Sequence, residues 1–228
     1  MPPVAKEGGI GDAGSPTLVC FAVVEEAVPF RRLRVPGTEI LVSQMGQANA
    51  ERRFLERLRA GPPTRVLTCG FAGGLNPALR SGTVVFDCDP GFPLEARLRA
   101  AGAVEARFLC TKRVAVTVGE KTALRASSGA DAVEMESGVI RRICRERGIP
   151  AATIRVISDE AGEDLPVDFN ALMRPDGRLD FPRLILTLLG SPGRIGGMIR
   201  LGGTTSRAAR SLAKVLAQAL AAEPPTGR

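Results

Sequence analysis

Histidine is missing from this chain altogether, and so are tryptophan and tyrosine. Without an imidazole there is no Ser-His-Asp or Cys-His route to an activated nucleophile, and no His-ligated metal. Acid–base chemistry is left to Asp, Glu, Lys or Cys. The nine phenylalanines are the only aromatic side chains, and no basic run is interleaved with them. The formal net charge of +7 is therefore not read as a nucleic-acid surface, although it would suit an anionic lipid or a phosphate-bearing ligand. Five cysteines (Cys20, Cys69, Cys88, Cys110 and Cys144) form no C-x-x-C pair, and all but Cys88 lie in apolar segments. That usage reads as buried, reduced thiols of a cytosolic protein. There is also no Walker or dinucleotide-binding fingerprint, so neither a metal nor an organic cofactor is expected. Residues 1–16 are rich in Gly and Pro, carry mixed charge and lack an apolar h-region; they read as a disordered leader, not a signal peptide.

What is present is an ordinary globular composition, 44% hydrophobic and 24% charged over 228 residues, suited to one α/β domain spanning 17–222. Apolar runs at Thr17–Val24, Arg65–Cys69 and Ala151–Ile157 read as buried strands, and Glu39–Ser43, Gly82–Phe86 and Arg107–Leu109 as shorter ones. Between them Gln47–Arg59, Pro93–Ala101, Glu120–Ser127 and Ser137–Arg147 read as helices. Ala27–Leu33 reads as a short helix in which Pro29 permits only a first turn. Gly70-Phe-Ala-Gly-Gly-Leu75 reads as a glycine-rich turn that lets a backbone come close to a ligand. Strands alternating with helices argue for a parallel or mixed sheet covered on both faces. Near the C-terminus, Phe181–Leu189 is apolar, Ser191-Pro-Gly interrupts it, Arg194–Gly203 is apolar and Gly-rich, and Thr204–Ala222 is an amphipathic helix.

Two stretches organise the rest. Ala132-Val-Glu-Met-Glu-Ser-Gly-Val139 places Glu134 and Glu136 around Met135 where a short strand gives way to a helix. Ile154-Arg-Val-Ile-Ser-Asp159 is a strand ending on Ser158 and Asp159. Strand exits of an open α/β sheet are where ligands collect, so these acids are expected to share a site. Together the two stretches, over a region running from about Thr17 to Asn170, resemble the A-V-E-M-E … R-x-I-S-D pattern of the nucleoside phosphorylase and nucleosidase superfamily, with the look of its 5′-methylthioadenosine/S-adenosylhomocysteine nucleosidase branch. The resemblance implies a three-layer α/β sandwich around a mixed, partly barrel-like sheet, cleavage of a purine nucleoside at its N-glycosidic bond, and assembly into at least a dimer.

Such cleavage passes through a ribosyl cation. The purine must be protonated, the cation stabilised and a nucleophile delivered. Asp159 suits protonation of purine N7, for which it would have to carry a proton in a dry site. Glu136 suits both ribose hydroxyls and the neighbouring cation, and Met135 would pack on the sugar. Glu25, taken over Glu26, would activate water with Arg155 orienting it, and Glu134 would support the site from behind. The resemblance implies the same roles at these positions. Phe71, Ala72 and Gly73 lie in the stretch resembling the family's T-G-S-A-G-G-L, and Phe71 stands where a phosphate-holding Ser would be, with Thr68 where the upstream Arg would be. That departure argues for water over phosphate, although Ser43, Gln44 or backbone amides could still hold an anion. The aromatic expected to stack on the base is also missing; Val114 with Val116 would serve, or Phe71 could swing in.

The apolar 181–203 segment, Asp164–Asn170 and the C-G-x-A-G-G-L stretch resemble the hopanoid-biosynthesis subgroup of the superfamily. The resemblance implies adenosylhopane as substrate, a nucleoside with a lipid 5′ substituent, and a cytoplasmic protein meeting the inner face of the membrane through residues 181–203. Methylthioadenosine, S-adenosylhomocysteine or aminofutalosine-type substrates are the alternatives, followed by a phosphate-dependent phosphorylase and a silent nucleoside or lipid binder.

Overall fold

A computed structural model of the protein describes residues 16–172, 174, 180–191, 193 and 195–221. Nearly all of the expected leader lies outside the described residues. The chain folds as β1 (Thr17–Phe21), α1 (Val24–Arg32), β2 (Thr38–Val42), α2 (Gln47–Leu58), β3 (Arg65–Gly74), β4 (Val84–Cys88), α3 (Glu95–Ala100), β5 (Val104–Glu105), β6 (Phe108–Cys110), α4 (Val118–Ser128), β7 (Ala132–Glu134), α5 (Ser137–Glu146), β8 (Ala151–Asp159), α6 (Phe169–Leu172), α7 (Phe181–Leu189) and α8 (Ile195–Leu220).

The apolar runs become the middle of one mixed sheet in the order β2-β1-β3-β8-β4-β5. β1 is parallel to β2 and β3, and β3 is parallel to β8, so four strands deliver their carboxyl ends to one edge. β4 runs antiparallel to β8. β7 runs antiparallel to the end of β3 and parallel to β6, curling the sheet at that corner. Helices cover both faces. Leu67, Cys69, Phe86, Ile154 and Val156 pack with Phe30, Leu98 and Leu212 of α1, α3 and α8 on one side. Leu18, Cys20, Val66 and Ala151 pack with Phe54, Ile140 and Ile143 of α2 and α5 on the other. This is the mixed α/β sandwich expected from the alternation of elements.

Three local expectations are corrected. α1 begins at Val24 and carries Pro29 within it. A proline there removes one backbone hydrogen bond, but Ala27 and Phe30 are fully buried in the main core, and that burial holds the helix through it. Gly70–Gly74 is not a turn: β3 runs straight through it, paired with β8 and shifted in register only between Ala72 and Gly73. Its glycines serve close approach. At Gly70 (φ +148°) a Cβ would lie 2.6 Å from Arg155 Nη1 and 2.7 Å from Glu26 Oε1. The Gly-rich stretch from Ile195 to Gly203 is helical, forming the first turns of the 26-residue α8. Gly is a poor helix former, but a Cβ at Gly197 would come within 3.0 Å of Pro166, so the helix docks where a side chain would not fit.

Candidate active site

The site forms where the parallel strands end, and the antiparallel run of β7 completes it. Because Gly73 pairs with Val133 and Gly74 with Ala132, the chain after Val133 travels back along β3 towards Gly70. Glu134 and Glu136 are thereby brought to Arg155, which sits opposite Gly70 on β8.

Arg155 is the centre of one half of the site. It is 1% exposed. One Nη donates to the Cys69 carbonyl at 3.0 Å and the other to Glu134 Oε2 at 2.6 Å, with Glu136 Oε2 at 3.8 Å. Its Nε has no protein partner. Glu134 is spent on this framework: its carboxylate accepts from Arg155, from the backbone N–H of Glu136 and Ser137, and from the Ser137 hydroxyl. Burial pushes its carboxyl up, but Arg155 and these donors outweigh burial and hold it below the usual glutamate value. Glu134 thus braces the turn into α5.

Glu136 accepts a hydrogen bond from the Gly46 N–H at 3.0 Å, in the β2–α2 loop. Burial pushes its carboxyl up to about 7, with Arg155 pulling it down and Glu134 pushing it up further. Met135 between them is half-buried.

The acid from the end of β1 that reaches this cluster is Glu26, not Glu25. Glu25 is exposed, whereas Glu26 is 6% exposed. The reason is the helix start. With α1 beginning at Val24, Glu26 falls on the face that carries Phe30 one turn later, and Glu25 turns to the outside. Glu26 Oε2 accepts from Ala22 and Val23 N–H at 3.1 and 3.2 Å, and Oε1 from Phe71 N–H at 2.8 Å. Burial raises its pKa against the opposing pull of Arg155 and these three donors. The signal for Glu26 is the helix start, three residues earlier than the Ala27 expected from the sequence.

Phe71 meets the site through its N–H alone; its ring packs against the main core beside Cys69 and Leu67 and does not swing in. Ala72 is buried, and Gly73 lies under the second half of the site, where a Cβ would stand 3.4 Å from Asp159 Oδ2. Asp159 ends β8, 7% exposed. The Ser158 hydroxyl lies 2.6 Å from Oδ1 and 3.2 Å from the Ala72 carbonyl. Asp159 is expected in a dry site or beside another acid; the site is dry, but the charged neighbour is a cation, with Lys121 Nζ of α4 2.6 Å from Oδ2. Lys121 was not legible as a site residue. Val114 is half-buried in the β6–α4 loop, with its N–H and C=O both paired to the Asn170 amide; none of the described hydrogen bonds ties it to the acids. The Ser43 hydroxyl is buried and directed at the Phe21 and Gln44 carbonyls.

The two halves are separated by the three residues of strand from Gly70 to Gly73, about 10 Å. One end holds three carboxylates around one guanidinium and the other holds an Asp–Lys pair. Among the described residues no group of His, Cys, Asp or Glu could hold a metal ion.

Fold and site together define an α/β sandwich with a cluster of acids at the carboxyl edge of its mixed sheet. Residues 95–189 match the phosphorylase superfamily. It is 29% identical over 212 residues to a 5′-methylthioadenosine/S-adenosylhomocysteine nucleosidase of Geobacillus kaustophilus, an alignment covering 75% of this chain and 87% of the relative. Its fold is similar to that of futalosine hydrolase of Helicobacter pylori, with a TM-score of 0.66, 18% identity, and coverage of 90% of this chain and 97% of the other. A Campylobacter jejuni 5′-methylthioadenosine/S-adenosyl homocysteine nucleosidase also has a TM-score of 0.66, at 16% identity, covering 90% and 98%.

Two expected outcomes follow from the acid cluster. Glu26→Gln is expected to lower turnover of a nucleoside substrate by about 10²-fold, the size of a lost general base, while the exposed Glu25→Gln leaves it unchanged; steady-state kinetics of the two variants checks this. Glu136 gives a pH profile. Its carboxyl, pushed up to about 7, is charged above that value and protonated below it. If Glu136 accepts ribose hydroxyls as a carboxylate, KM is expected to be flat above pH 7 and to rise as pH falls through it. Glu136→Gln should show a high KM without that bend.

Proposed function

We propose that the protein hydrolyses the N-glycosidic bond of a 5′-substituted adenosine, with water as nucleophile. The observation that carries this reading is the pairing of a buried Glu26–Glu136–Arg155 cluster at Gly70 with Asp159 at Gly73, three residues further along β3. Asp159 passes a proton to purine N7 as the glycosidic bond breaks, and the bond's electron pair leaves with the base. Glu136 accepts the ribose hydroxyls and its charge favours the ribosyl cation. Glu26 takes a proton from the attacking water, and Arg155, with Nε still unpaired by protein, orients that water. Phosphate is disfavoured by charge: a dianion would enter among Glu26, Glu134 and Glu136, with only Arg155 to offset them, and Ser43 is already occupied. The name of the Geobacillus kaustophilus relative supports a 5′-substituted adenosine.

For the 5′ substituent we propose a hopanoid lipid, with adenosylhopane cleaved to adenine and ribosylhopane. The support is surface chemistry. Leu186 of α7 is 70% exposed, and Ile195 and Ile199 of α8 are 42% and 72% exposed. Arg183 and Arg200 beside them are also exposed. Leu184 and Met198 face the other way, packing with Val167 and Leu172. An apolar outer face with basic residues suits a membrane interface, and among the described residues no helix is long and apolar enough to cross one. Side chains of Phe181, Ile185, Leu188 and Leu189 lie outside the described residues.

Methylthioadenosine is the second reading, favoured by the name of the same relative. Adenine release from adenosylhopane in detergent beside 5′-methylthioadenosine separates the two. The lipid reading expects the higher kcat/KM for adenosylhopane, and co-flotation with anionic liposomes that is lost in a Leu186→Glu, Ile199→Glu variant. Turnover of methylthioadenosine alone, with no flotation, would remove the lipid and keep the chemistry.

A further inference from the structure

We propose that Lys121 supplies, through Asp159, the proton that the departing purine carries away. This rests on the nucleosidase reading given above. Lys121 is 0% exposed, and its ammonium meets three acceptors: Asp159 Oδ2 at 2.6 Å and the carbonyls of Glu160 and Glu163, each at 2.8 Å.

Its position is costly in two ways. Thr117 and Glu120 form a reciprocal capping box that fixes the start of α4, so Lys121 falls in the helix's first turn, where the backbone dipole disfavours a cation. Lys121 is also the one buried residue of that 11-residue helix. An apolar side chain of similar length would fill the space without desolvating a charge, and a buried ion pair is a poor source of stability on its own. The arrangement is explained if the ammonium works on the carboxylate it touches. Asp159 is flanked by donors on both oxygens, Lys121 on Oδ2 and the Ser158 hydroxyl on Oδ1. With both oxygens engaged as acceptors, the side chain points no O–H at a base. Ser158 can turn to the Ala72 carbonyl, which it already approaches at 3.2 Å, and free Oδ1 for the purine.

One proton moves from Lys121 Nζ to Asp159 Oδ2, the carboxyl turns about Cβ–Cγ to bring that O–H to the side Ser158 has left, and Asp159 delivers this proton to purine N7 as the C1′–N9 bond breaks and its electron pair passes to the ring. Lys121 is left neutral beside an Asp159 carboxylate. The water oxygen bonds to C1′ and its proton goes to Glu26. After the products leave, Glu26 loses that proton to solvent, and Lys121 regains one by way of Asp159, whose side chain keeps 10% exposure. Lys121 is thus a positioning and proton-supplying residue acting through Asp159. A purely structural role, stapling the Glu160–Glu163 turn to α4, is the competing account.

The test compares two leaving groups on the same 5′-methylthioribose. Adenine needs a proton to depart, whereas 4-nitrophenolate does not. Lys121→Met, and Lys121→Gln as a variant that keeps donors for the turn carbonyls, are expected to lower kcat for 5′-methylthioadenosine by about 10²-fold while changing the 4-nitrophenyl riboside rate by no more than about threefold. Equal loss on both substrates would make Lys121 a staple and overturn the proposal, as would retention of both rates. A double-mutant cycle reads the same question without the artificial substrate. Lys121→Met in an Asp159→Asn background is expected to add no further loss on methylthioadenosine, whereas fully additive losses would contradict action through Asp159. Failure of the unaltered protein to release adenine or nitrophenolate at all would instead reject the nucleosidase reading beneath it.

Discussion

Asp159→Asn is expected to reduce adenine release by between about 10² and 10⁴-fold, the range for loss of a general acid, with little change in affinity for a non-hydrolysable nucleoside analogue. The asparagine amide keeps one oxygen for Lys121, and its NH2 can donate to the Ser158 hydroxyl oxygen, so the β8 end stays hydrogen-bonded at both positions. What it cannot do is carry a titratable proton to N7. The check is kcat against KM: the proposal expects the loss in kcat. A loss confined to KM would make Asp159 a binding group for the base. Retained activity would mean that the proton reaches the purine by another route.

The second large effect concerns folding. Arg155→Met removes the only guanidinium among Glu134, Glu136 and Glu26. Arg155 is fully buried and bonds the Cys69 carbonyl as well. Breaking a buried ion pair by deleting one partner costs about 3–5 kcal/mol, because the remaining charges stay desolvated. For a domain of this size that corresponds to a fall in Tm of about 10 °C. The loss should depend on pH in a defined sense. Arg155 lowers the pKa of both Glu26 and Glu136, so without it their folded-state values rise further above the unfolded ones. A group whose folded pKa is raised favours the folded state most when protonated and loses that contribution as pH rises. The deficit of the variant should therefore be largest at pH 8 and shrink at pH 5, as read by thermal melts of both proteins. An equal deficit at both pH values would mean that Arg155 contributes packing and its Cys69 hydrogen bond more than charge balance.

Much of the site could be read from the sequence because it is carried by contiguous stretches. Glu134, Met135 and Glu136 follow a short strand, and Arg155, Ser158 and Asp159 finish a long apolar one; position near a strand exit made them candidates, and the resemblance of the two stretches to the family pattern singled them out. The alternation of strands and helices similarly gave the mixed, two-faced sheet. What the sequence hid depended on boundaries and on long-range partners. One turn of helix decides between Glu25 and Glu26, and Pro29 argued for a shorter helix than the buried Phe30 holds in place. The Gly70–Gly74 stretch looked like a turn because glycine marks both turns and close approaches, and only the opposing Arg155 and Glu26 reveal which applies. Lys121 carries no local signal of burial, since a lysine one turn into a polar helix is ordinarily solvated. Its partners lie about 40 residues away, at Asp159, Glu160 and Glu163. The antiparallel return of β7 along β3, which brings Glu134 to Arg155, is a matter of strand direction that apolar patterning does not record.

Hydrolysis at this site is tested most directly by product analysis of a 5′-substituted adenosine turned over with and without inorganic phosphate. Adenine and the free 5′-substituted ribose are expected in equal amounts, at a rate indifferent to phosphate and lost in both Glu26→Gln and Asp159→Asn. A rate that rises with phosphate, with ribose 1-phosphate as product, would contradict it.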